Sequence, residues 1–248
     1  MKKTVLILTV FFMLFSVNSA WASLMDKDVF IVGTESTYPP YQSLNEQGEL
    51  IGFDIDLMEI IAERLGKTIE WRDMAFDALI PSLMARRIDL IIAGMSITEE
   101  RAQRVAFTRP YEISASAFIT RVDSDINGLE DLNGRIVAVQ IGTVQETFAH
   151  GIEGAVVRTF QRFDDCVREV LHARADAALM DIPVAREFVN QRDFAGHVEI
   201  AFDQIITEGG KAIALHLSEQ DAAEKISQII DDLEESGEMQ KLREKWGM

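Results

Sequence analysis

The stretch FDIDLMEIIAERLG, residues 53–66, has apolar residues at the spacing of an α-helix. The glycine at its last position is placed to end that helix. A short apolar run at residues 30–32 precedes the stretch and predicts a strand, and a second strand is predicted at residues 68–71 after it. The loop between the first strand and the helix contains proline and glycine. A strand, a loop, a helix and a second strand therefore follow one another here.

The same alternation continues along the chain. It predicts helices at residues 77–85, 144–150, 163–173 and 182–190, and strands at residues 88–93, 117–121, 136–140, 156–160 and 177–180. Residues 218–246 are predicted to be helical, with the run SEQD at residues 218–221 as the N-terminal cap. Strands that alternate with helices over this length indicate an α/β architecture.

The first 22 residues have the pattern of a secretory signal peptide. Lys2 and Lys3 precede an apolar run at residues 4–17, and small residues follow it. The run is short for a membrane span. We expect cleavage after Ala22, which removes two lysines and no acid and so changes the formal net charge from −17 to −19. The expected location is the periplasm, without a lipid anchor, because no cysteine lies near the cleavage position.

The composition excludes several classes of function. The chain has 41 Asp and Glu residues against 24 Lys and Arg residues, which disfavours nucleic acid and anionic lipid as partners. Cys166 is the only cysteine, so an internal disulfide cannot form, and we expect this residue to be buried on a helix. The four histidines lie far apart, and no phosphate-binding loop or nucleophile elbow is present. The sequence therefore predicts no metal and no cofactor.

Two loops share one pattern, GMSITE at residues 94–99 and GTVQE at residues 142–146. Each follows a predicted strand and opens a helix. In each, a hydroxyl residue is followed three positions later by glutamate, as in a capping box: Ser96 by Glu99, and Thr143 by Glu146. Such a helix N-terminus suits a small anion. The alternative is that both are ordinary helix caps, and both interpretations stay open here.

Arg101 stands in the first turn of the helix predicted after the first of these loops. A cation is unfavourable there, because the helix dipole places partial positive charge at the same end. A guanidinium at this position can form a bidentate pair with the carboxylate of a ligand. The alternative is an arginine solvated at the surface.

Several motifs, in this order, resemble those of the periplasmic polar-amino-acid-binding proteins of ABC importers. Among these the similarity is to the arginine and lysine-arginine-ornithine binders. The motifs are GTESTYPPY (33–41), GFDIDL (52–57), FDALIPSL (76–83), AGMSIT (93–98) with Arg101, FTRPY (107–111), VQIGT (139–143), DAALMD (176–181) and KW (245–246). The resemblance extends over essentially the whole chain after the predicted signal peptide.

The resemblance implies the two-lobed type II periplasmic-binding-protein fold, an α/β fold that closes like a Venus flytrap. The first lobe would comprise residues 26–112 and 205–248, and the second lobe residues 113–204. Two crossings would join them, near residues 111–114 and 200–207. The resemblance also implies a monomer.

The resemblance assigns one group of residues to the ligand's α-carboxylate. Arg101 matches the arginine that clamps this carboxylate, and Ser96 matches the residue that assists it through a hydroxyl and an N–H group. A further N–H group would come from Thr143 or Val144 on the opposite lobe.

A second group of matching residues surrounds the rest of the ligand. Asp181 matches the carboxylate that takes the α-ammonium, helped by a backbone group near Gly94. Tyr38 and Phe76 match the aromatic pair around the ligand's aliphatic stem, with core packing as the alternative. Glu35 matches the acid that pairs with a distal cation, with a solvated loop acid as the alternative. A buried carboxylate there favours a basic ligand.

Two departures from the family pattern affect this site. Ala93 and Gly94 stand where lysine-arginine-ornithine binders often have serine, which favours arginine. The run TEGGK at residues 207–211 stands where many members have an aromatic residue followed by glycine. We therefore expect the second crossing to be built differently, with an effect of Glu208 or Lys211 on closure whose direction the sequence does not reveal.

The implied function is the capture of a free L-amino acid, arginine or another basic one, and its delivery to the permease of an ABC importer. One alternative is a neutral polar ligand such as glutamine, and another is presentation of the amino acid to a sensor. The fold also includes an enzyme, cyclohexadienyl dehydratase, which has a catalytic glutamate three residues after the position of Asp181. Val184 stands there and cannot donate a proton. We therefore expect a binding protein and no enzyme.

Overall fold

The computed structural model describes residues 23–207 and 209–248. The predicted signal peptide lies outside the described residues. In chain order the elements up to the first crossing are β1 (Val29–Thr34), β2 (Thr37–Tyr38), β3 (Gln42–Leu44), β4 (Leu50–Ile51), α1 (Phe53–Arg64), β5 (Thr68–Asp73), α2 (Phe76–Met84), β6 (Leu90–Ile91), α3 (Glu99–Ala102) and β7 (Val105–Phe107). The remaining elements are β8 (Ser116–Arg121), β9 (Ile136–Gln140), α4 (Val144–His150), β10 (Val156–Phe160), α5 (Phe163–Leu171), β11 (Ala177–Asp181), α6 (Ile182–Asn190), β12 (Val198–Gln204), β13 (Ala214–His216), α7 (Gln220–Ser236) and α8 (Glu238–Lys245).

Two five-stranded sheets form two lobes. The first lobe has the strand order β5-β1-β6-β13-β7, and the second has the order β10-β9-β11-β8-β12. In the first lobe β1 runs parallel to β5 and β6, and in the second β9 runs parallel to β10 and β11. Helices connect these parallel neighbours, as parallel pairing requires. The predicted α/β class with two lobes is confirmed.

The fourth strand of the first sheet comes from beyond both crossings, whereas the fourth strand of the second sheet is the first strand after the first crossing. β13 lies antiparallel between β6 and β7, and β8 lies antiparallel between β11 and β12. The chain therefore crosses to the second lobe between β7 and β8 and returns between β12 and β13. Because β12 continues to Gln204, the return begins after residue 204, within the predicted residues 200–207, and residues 200–204 belong to a strand. The residues at which one lobe ends and the other begins stay a prediction.

The C-terminal helices pack on the first lobe. The side chains of Lys245 and Trp246 both donate to a carboxylate oxygen of Asp56 in α1, at 2.6 Å and 2.7 Å. In the same region Arg64 donates to Glu238 at 2.8 Å. The helical segment predicted as one piece is broken at Gly237, whose φ of 75° ends α7. The end of the chain is thus tied to the lobe that contains its beginning.

Apolar side chains cover both faces of each sheet. One cluster joins α1, α7 and α8 to the first sheet and continues into α5 and α6 of the second lobe. Two smaller clusters lie on the other faces, one around Leu79 and Ile91 and one around Phe118 and Leu179. Cys166 lies buried in α5, as expected from the sequence. Among residues 23–207 and 209–248, every helix is too short or too polar to span a membrane.

The structure corrects two predicted helix caps. Thr98, and not Ser96, precedes α3, and its Oγ1 accepts a hydrogen bond from the Arg101 N–H at 3.2 Å. Ser96 instead forms an isolated antiparallel bridge with Lys211. The cap predicted within residues 218–221 is right in position, since Glu219 is the N-cap residue of α7, but no side chain there forms a capping hydrogen bond.

A small antiparallel sheet, β2-β3-β4, lies where the sequence predicts only a loop. Its strands have two or three residues each, which is too short for a pattern of alternating polarity to show. The sheet supports Tyr38, a residue of the predicted site.

Candidate functional site

The candidate site is a cleft between the lobes, and all nine residues predicted from the sequence line it. The lining from the first lobe consists of Glu35, Tyr38, Phe76, Ala93, Gly94, Ser96 and Arg101, and the lining from the second lobe consists of Gln140, Thr143, Val144, Gln145, Phe163 and Asp181. These residues stand at or follow the carboxyl ends of the parallel strands β1, β5, β6, β9, β10 and β11. This is the edge at which α/β sheets place their ligand sites.

The lobes touch each other across the cleft. The ring of Tyr38 packs on Phe163 of the second lobe with 4.8 Å between centroids. The Arg101 guanidinium donates to the carbonyl of Gly142 at 2.9 Å. A Cβ atom on Gly142 would lie 3.1 Å from the Cβ of Asp77 on the first lobe. The structure is therefore that of the closed form.

Arg101 projects from α3 into the cleft, and only 9% of it is exposed. Its guanidinium donates to the carbonyl of Ser96 at 2.7 Å and lies 5.5 Å from the centre of the Phe76 ring. Burial lowers its pKa to about 10. Within the described part of the chain Arg101 forms no ion pair. A guanidinium has five N–H donors, and those that do not bind the two carbonyls are available to an anionic ligand.

The loop before α4 has the capping geometry that its sequence predicts. Thr143 Oγ1 accepts from the N–H of Glu146 at 3.1 Å and donates to the carbonyl of Gln140 at 2.7 Å. The carboxylate of Glu146 in turn accepts from the N–H of Gly142 at 2.6 Å. Thr143 and Val144, at the N-terminus of α4, line the cleft, and the helix dipole places partial positive charge there.

Glu35 follows β1 and is buried, with 5% of its surface exposed. Thr37 donates a hydrogen bond to its carboxylate at 2.5 Å. Burial raises the pKa of Glu35 to about 7, while hydrogen bonds from Thr37 and Gln140 and the charge of Arg162 act in the opposite direction. Glu35 is thus not the solvated loop acid of the alternative above. It lines the cleft with a buried carboxylate that a cation would stabilise.

Asp181 lies at the end of β11 and is 4% exposed. Its Oδ1 accepts from Ser116 Oγ at 3.2 Å and from Gln145 Nε2 at 3.1 Å. Its Oδ2 accepts from the Tyr38 hydroxyl, and Lys211 Nζ lies 3.0 Å from the same oxygen. Burial and the neighbouring Asp181 charge raise the pKa of Tyr38 well above its usual range, so its hydroxyl keeps its proton as a donor.

Position 94 requires glycine, because a side chain does not fit there. Its φ is 58°, and a Cβ atom there would lie 2.7 Å from the ring of Tyr38. The Gly94 N–H donates to Asp54 at 2.7 Å, and the Tyr111 hydroxyl donates to the same carboxylate oxygen at 3.0 Å. The N–H group of Gly94 is therefore used within the protein, and its carbonyl is the group left for a ligand.

Sequence reasoning missed four polar or aromatic residues of the site. Gln140 and Phe163 belong to the second lobe and take part because the closed lobes bring them to Glu35 and Tyr38. Gln145 donates to Asp181 within the second lobe, between segments 36 positions apart. Lys211 was noted as a departure, but its ion pair with Asp181 joins residues 30 positions apart and has no local signal. No group of three His, Cys, Asp or Glu side chains among the residues described is arranged to hold a metal ion.

Comparison with known proteins identifies the family. Residues 30–248 match the family described as bacterial extracellular solute-binding proteins, family 3. The chain belongs to this family. Members of this extracellular solute-binding family are binding proteins.

Individual members of family 3 are similar over almost their full length. The arginine-binding extracellular protein ArtP of Bacillus subtilis (strain 168) is 31% identical over 99% of this chain and 98% of its own. The histidine-binding periplasmic protein of Escherichia coli (strain K12) is 33% identical over 99% of this chain and 97% of its own. A solved structure of an ancestral arginine-binding protein bound to arginine aligns with a TM-score of 0.85 and 36% identity, covering 89% of this chain and 98% of that one.

Proposed function

We propose that this protein is a periplasmic binding protein that captures a free L-amino acid, arginine or another basic one, and delivers it to the permease of an ABC importer. The observation that carries the proposal is the buried guanidinium of Arg101, which has no carboxylate partner among the described residues and faces two buried carboxylates, Glu35 and Asp181, in one cleft. A buried charge needs a partner. A zwitterion with a distal cation supplies an anion for Arg101 and cations for Glu35 and for Asp181, the latter already paired with Lys211 at 3.0 Å.

The carboxylate end of the ligand belongs at Arg101. A guanidinium offers two parallel donors to a carboxylate, and the N-terminus of α4, with Thr143 and Val144, adds donors from the opposite lobe. Ser96 completes this end from the first lobe. Because the donors come from both lobes, an α-carboxylate stabilises the closed form.

The distal cation belongs at Glu35. The carboxylate is buried with a pKa of about 7, so an ionised Glu35 is unfavourable unless a cation pairs with it. Gln140 lies beside it and adds a polar contact. Tyr38 and Phe76 flank the path between the two ends, where they can enclose an aliphatic stem and stack on a guanidinium.

The similar proteins support a basic ligand. Besides the arginine- and histidine-binding relatives, a lysine/arginine/ornithine-binding periplasmic protein of Escherichia coli (strain K12) is 32% identical over 99% of this chain and 97% of its own. A structure of an ancestral arginine-binding protein bound to glutamine, with a TM-score of 0.81 and 36% identity, keeps a neutral amino acid among the ligands to be tested.

A catalytic role has less support. An ancestral amino acid-binding protein described as a precursor of cyclohexadienyl dehydratase aligns with a TM-score of 0.81 and 30% identity. The dehydration would need a proton donor after Asp181. The residue there, Val184, is apolar and fully buried in α6, so the site lacks that donor.

A ligand screen tests the proposal. The protein is stripped of ligand by unfolding and refolding, and its melting temperature is measured with each of the twenty amino acids, ornithine and citrulline. A ligand at about a thousand times its dissociation constant adds roughly 4 kcal/mol. We expect the largest rise with arginine and a much smaller one with citrulline, which has the same shape without the charge. Strongest stabilisation by a neutral or acidic amino acid would refute the basic ligand, and no response would refute amino-acid binding.

A further inference from the structure

Lys211 stands where the two crossings meet. Its N–H donates to the carbonyl of Glu112 at 2.7 Å, and its own carbonyl accepts from the N–H of Tyr111 at 2.8 Å. It also forms an isolated antiparallel bridge with Ser96. The backbone of Lys211 is therefore fixed between the first crossing and the loop that carries Ser96, and its side chain starts from a defined position.

The side chain of Lys211 is buried and reaches the opposite lobe. Only 2% of the residue is exposed. Its Nζ lies 3.0 Å from Oδ2 of Asp181, donates to Ser114 Oγ at 2.5 Å, and lies 5.0 Å from the centre of the Tyr41 ring. This ion pair joins the second crossing to the end of β11. It contributes to closure without any ligand.

Asp181 has no acceptor site left when Lys211 is in place. A carboxylate offers about four lone-pair sites. In this structure the donors Tyr38, Ser116, Gln145 and Lys211 occupy them. A ligand ammonium can therefore reach Asp181 only by displacing one of the four. Lys211 supplies the same chemical group as the ligand, an ammonium.

A displaced Lys211 has two other carboxylates within electrostatic reach. Burial raises the pKa of Asp54 to about 7, and the charge of Lys211 is among the groups that oppose this rise. Burial also raises the pKa of Glu112, with Lys211 again acting against it. Oδ1 of Asp54 is buried and accepts no hydrogen bond from any described residue. The lysine can thus leave Asp181 and keep an anionic partner.

We propose that Lys211 is an internal competitor of the ligand, whose ammonium occupies the place on Asp181 that the ligand's α-ammonium takes. The inference rests on the proposed function, because it presumes a ligand with an α-ammonium. Two consequences follow. Lys211 lowers the affinity for amino acids by stabilising a closed form without ligand. It also weakens selection for the α-amino group, because a ligand that lacks this group leaves the ion pair intact.

The test compares wild type with Lys211→Met, with Lys211→Gln as a second neutral variant. Lys245→Met is the matched control, since Lys245 also pairs with an aspartate but lies at the surface of one lobe. Calorimetry measures the affinity for arginine and for 5-guanidinopentanoic acid, which is arginine without its α-amino group. Small-angle scattering measures the radius of gyration without ligand.

We expect wild type and the control variant to prefer arginine over the analogue by less than about tenfold. Both neutral variants should bind arginine at least about tenfold more tightly, and prefer it by at least about a hundredfold, because Asp181 then has no other cation. Their ligand-free radius of gyration should increase.

If wild type binds arginine and the neutral variants bind it no more tightly, this inference alone is overturned. If wild type already prefers arginine by more than a hundredfold, it is also overturned. If wild type binds no amino acid, the proposed function fails first and the inference with it.

Discussion

We predict that the substitution Glu35→Gln changes the free energy of unfolding of the ligand-free protein, so the prediction does not depend on knowing the ligand. Burial raises the pKa of Glu35 from its ordinary 4.5 to about 7. The folded protein therefore binds this proton more tightly than the unfolded chain. Between about pH 7 and pH 4.5 the stability contributed by this group rises as the pH falls, and above pH 7 the folded state contains a buried carboxylate at a disadvantage.

The size of the effect follows from the pKa. Each pKa unit corresponds to about 1.4 kcal/mol, so Glu35 destabilises the ligand-free protein by roughly 3 kcal/mol at pH 8 relative to pH 4. Glutamine keeps the shape and still accepts the hydrogen bond from Thr37, but it has no charge. Glu35→Gln should therefore be more stable than wild type by roughly 3 kcal/mol at pH 8 and about equal to it near pH 4.5.

Chemical denaturation of the ligand-free proteins at several pH values between 4.5 and 8 measures this difference. Glu46→Gln is the control, because Glu46 is exposed on the loop between β3 and β4 and reports the loss of a surface carboxylate. A difference between wild type and Glu35→Gln that stays constant over the whole range would show that Glu35 is not buried in the way described. So would a difference with the opposite slope.

Three further predictions concern binding. Arg101→Ala should lower the affinity for every amino acid by at least about a hundredfold, because the carboxylate loses its charged partner; calorimetry that found normal binding would remove Arg101 from the site. The arginine affinity of wild type should fall up to about tenfold per unit below pH 7, since Glu35 must lose its proton, and Glu35→Gln should lack this dependence. Gly94→Ala should lower stability by about 1–3 kcal/mol and weaken binding by displacing Tyr38. Gly66→Ala, which has a similar φ of 67° and no atom within 4 Å of its Cβ, should leave binding unchanged; equal losses of affinity would contradict the role of the contact with Tyr38.

The regular elements of this fold could be predicted from the sequence because their signals are local. The apolar spacing at residues 53–66 predicts α1, which the structure shows from Phe53 to Arg64. The cap of α4 was predicted correctly because Thr143 and Glu146 are only three residues apart. The cap of α3 was placed on Ser96 because the sequence does not show that this helix has only four residues.

The geometry of the site could be predicted only in part, because half of it depends on how the lobes meet. Residue types and motif order named nine residues, and the structure brings all nine to one cleft. The contacts between Tyr38 and Phe163, and between Asp181 and Lys211, join segments from different lobes. Hydrophobic periodicity carries no information on such pairs, since it reports which face of an element is buried and not what lies opposite.

The position of the fourth strand in each sheet has a consequence for the order of folding. The second lobe takes all five of its strands from one continuous piece of chain, β8 to β12, so every partner is present once that piece has been synthesised. The first lobe begins the chain but needs β13, which fills the gap between β6 and β7 near the C-terminus. The lobe that starts first is therefore the last to be completed. Its unfinished sheet has two unpaired strand edges until residues 214–216 arrive.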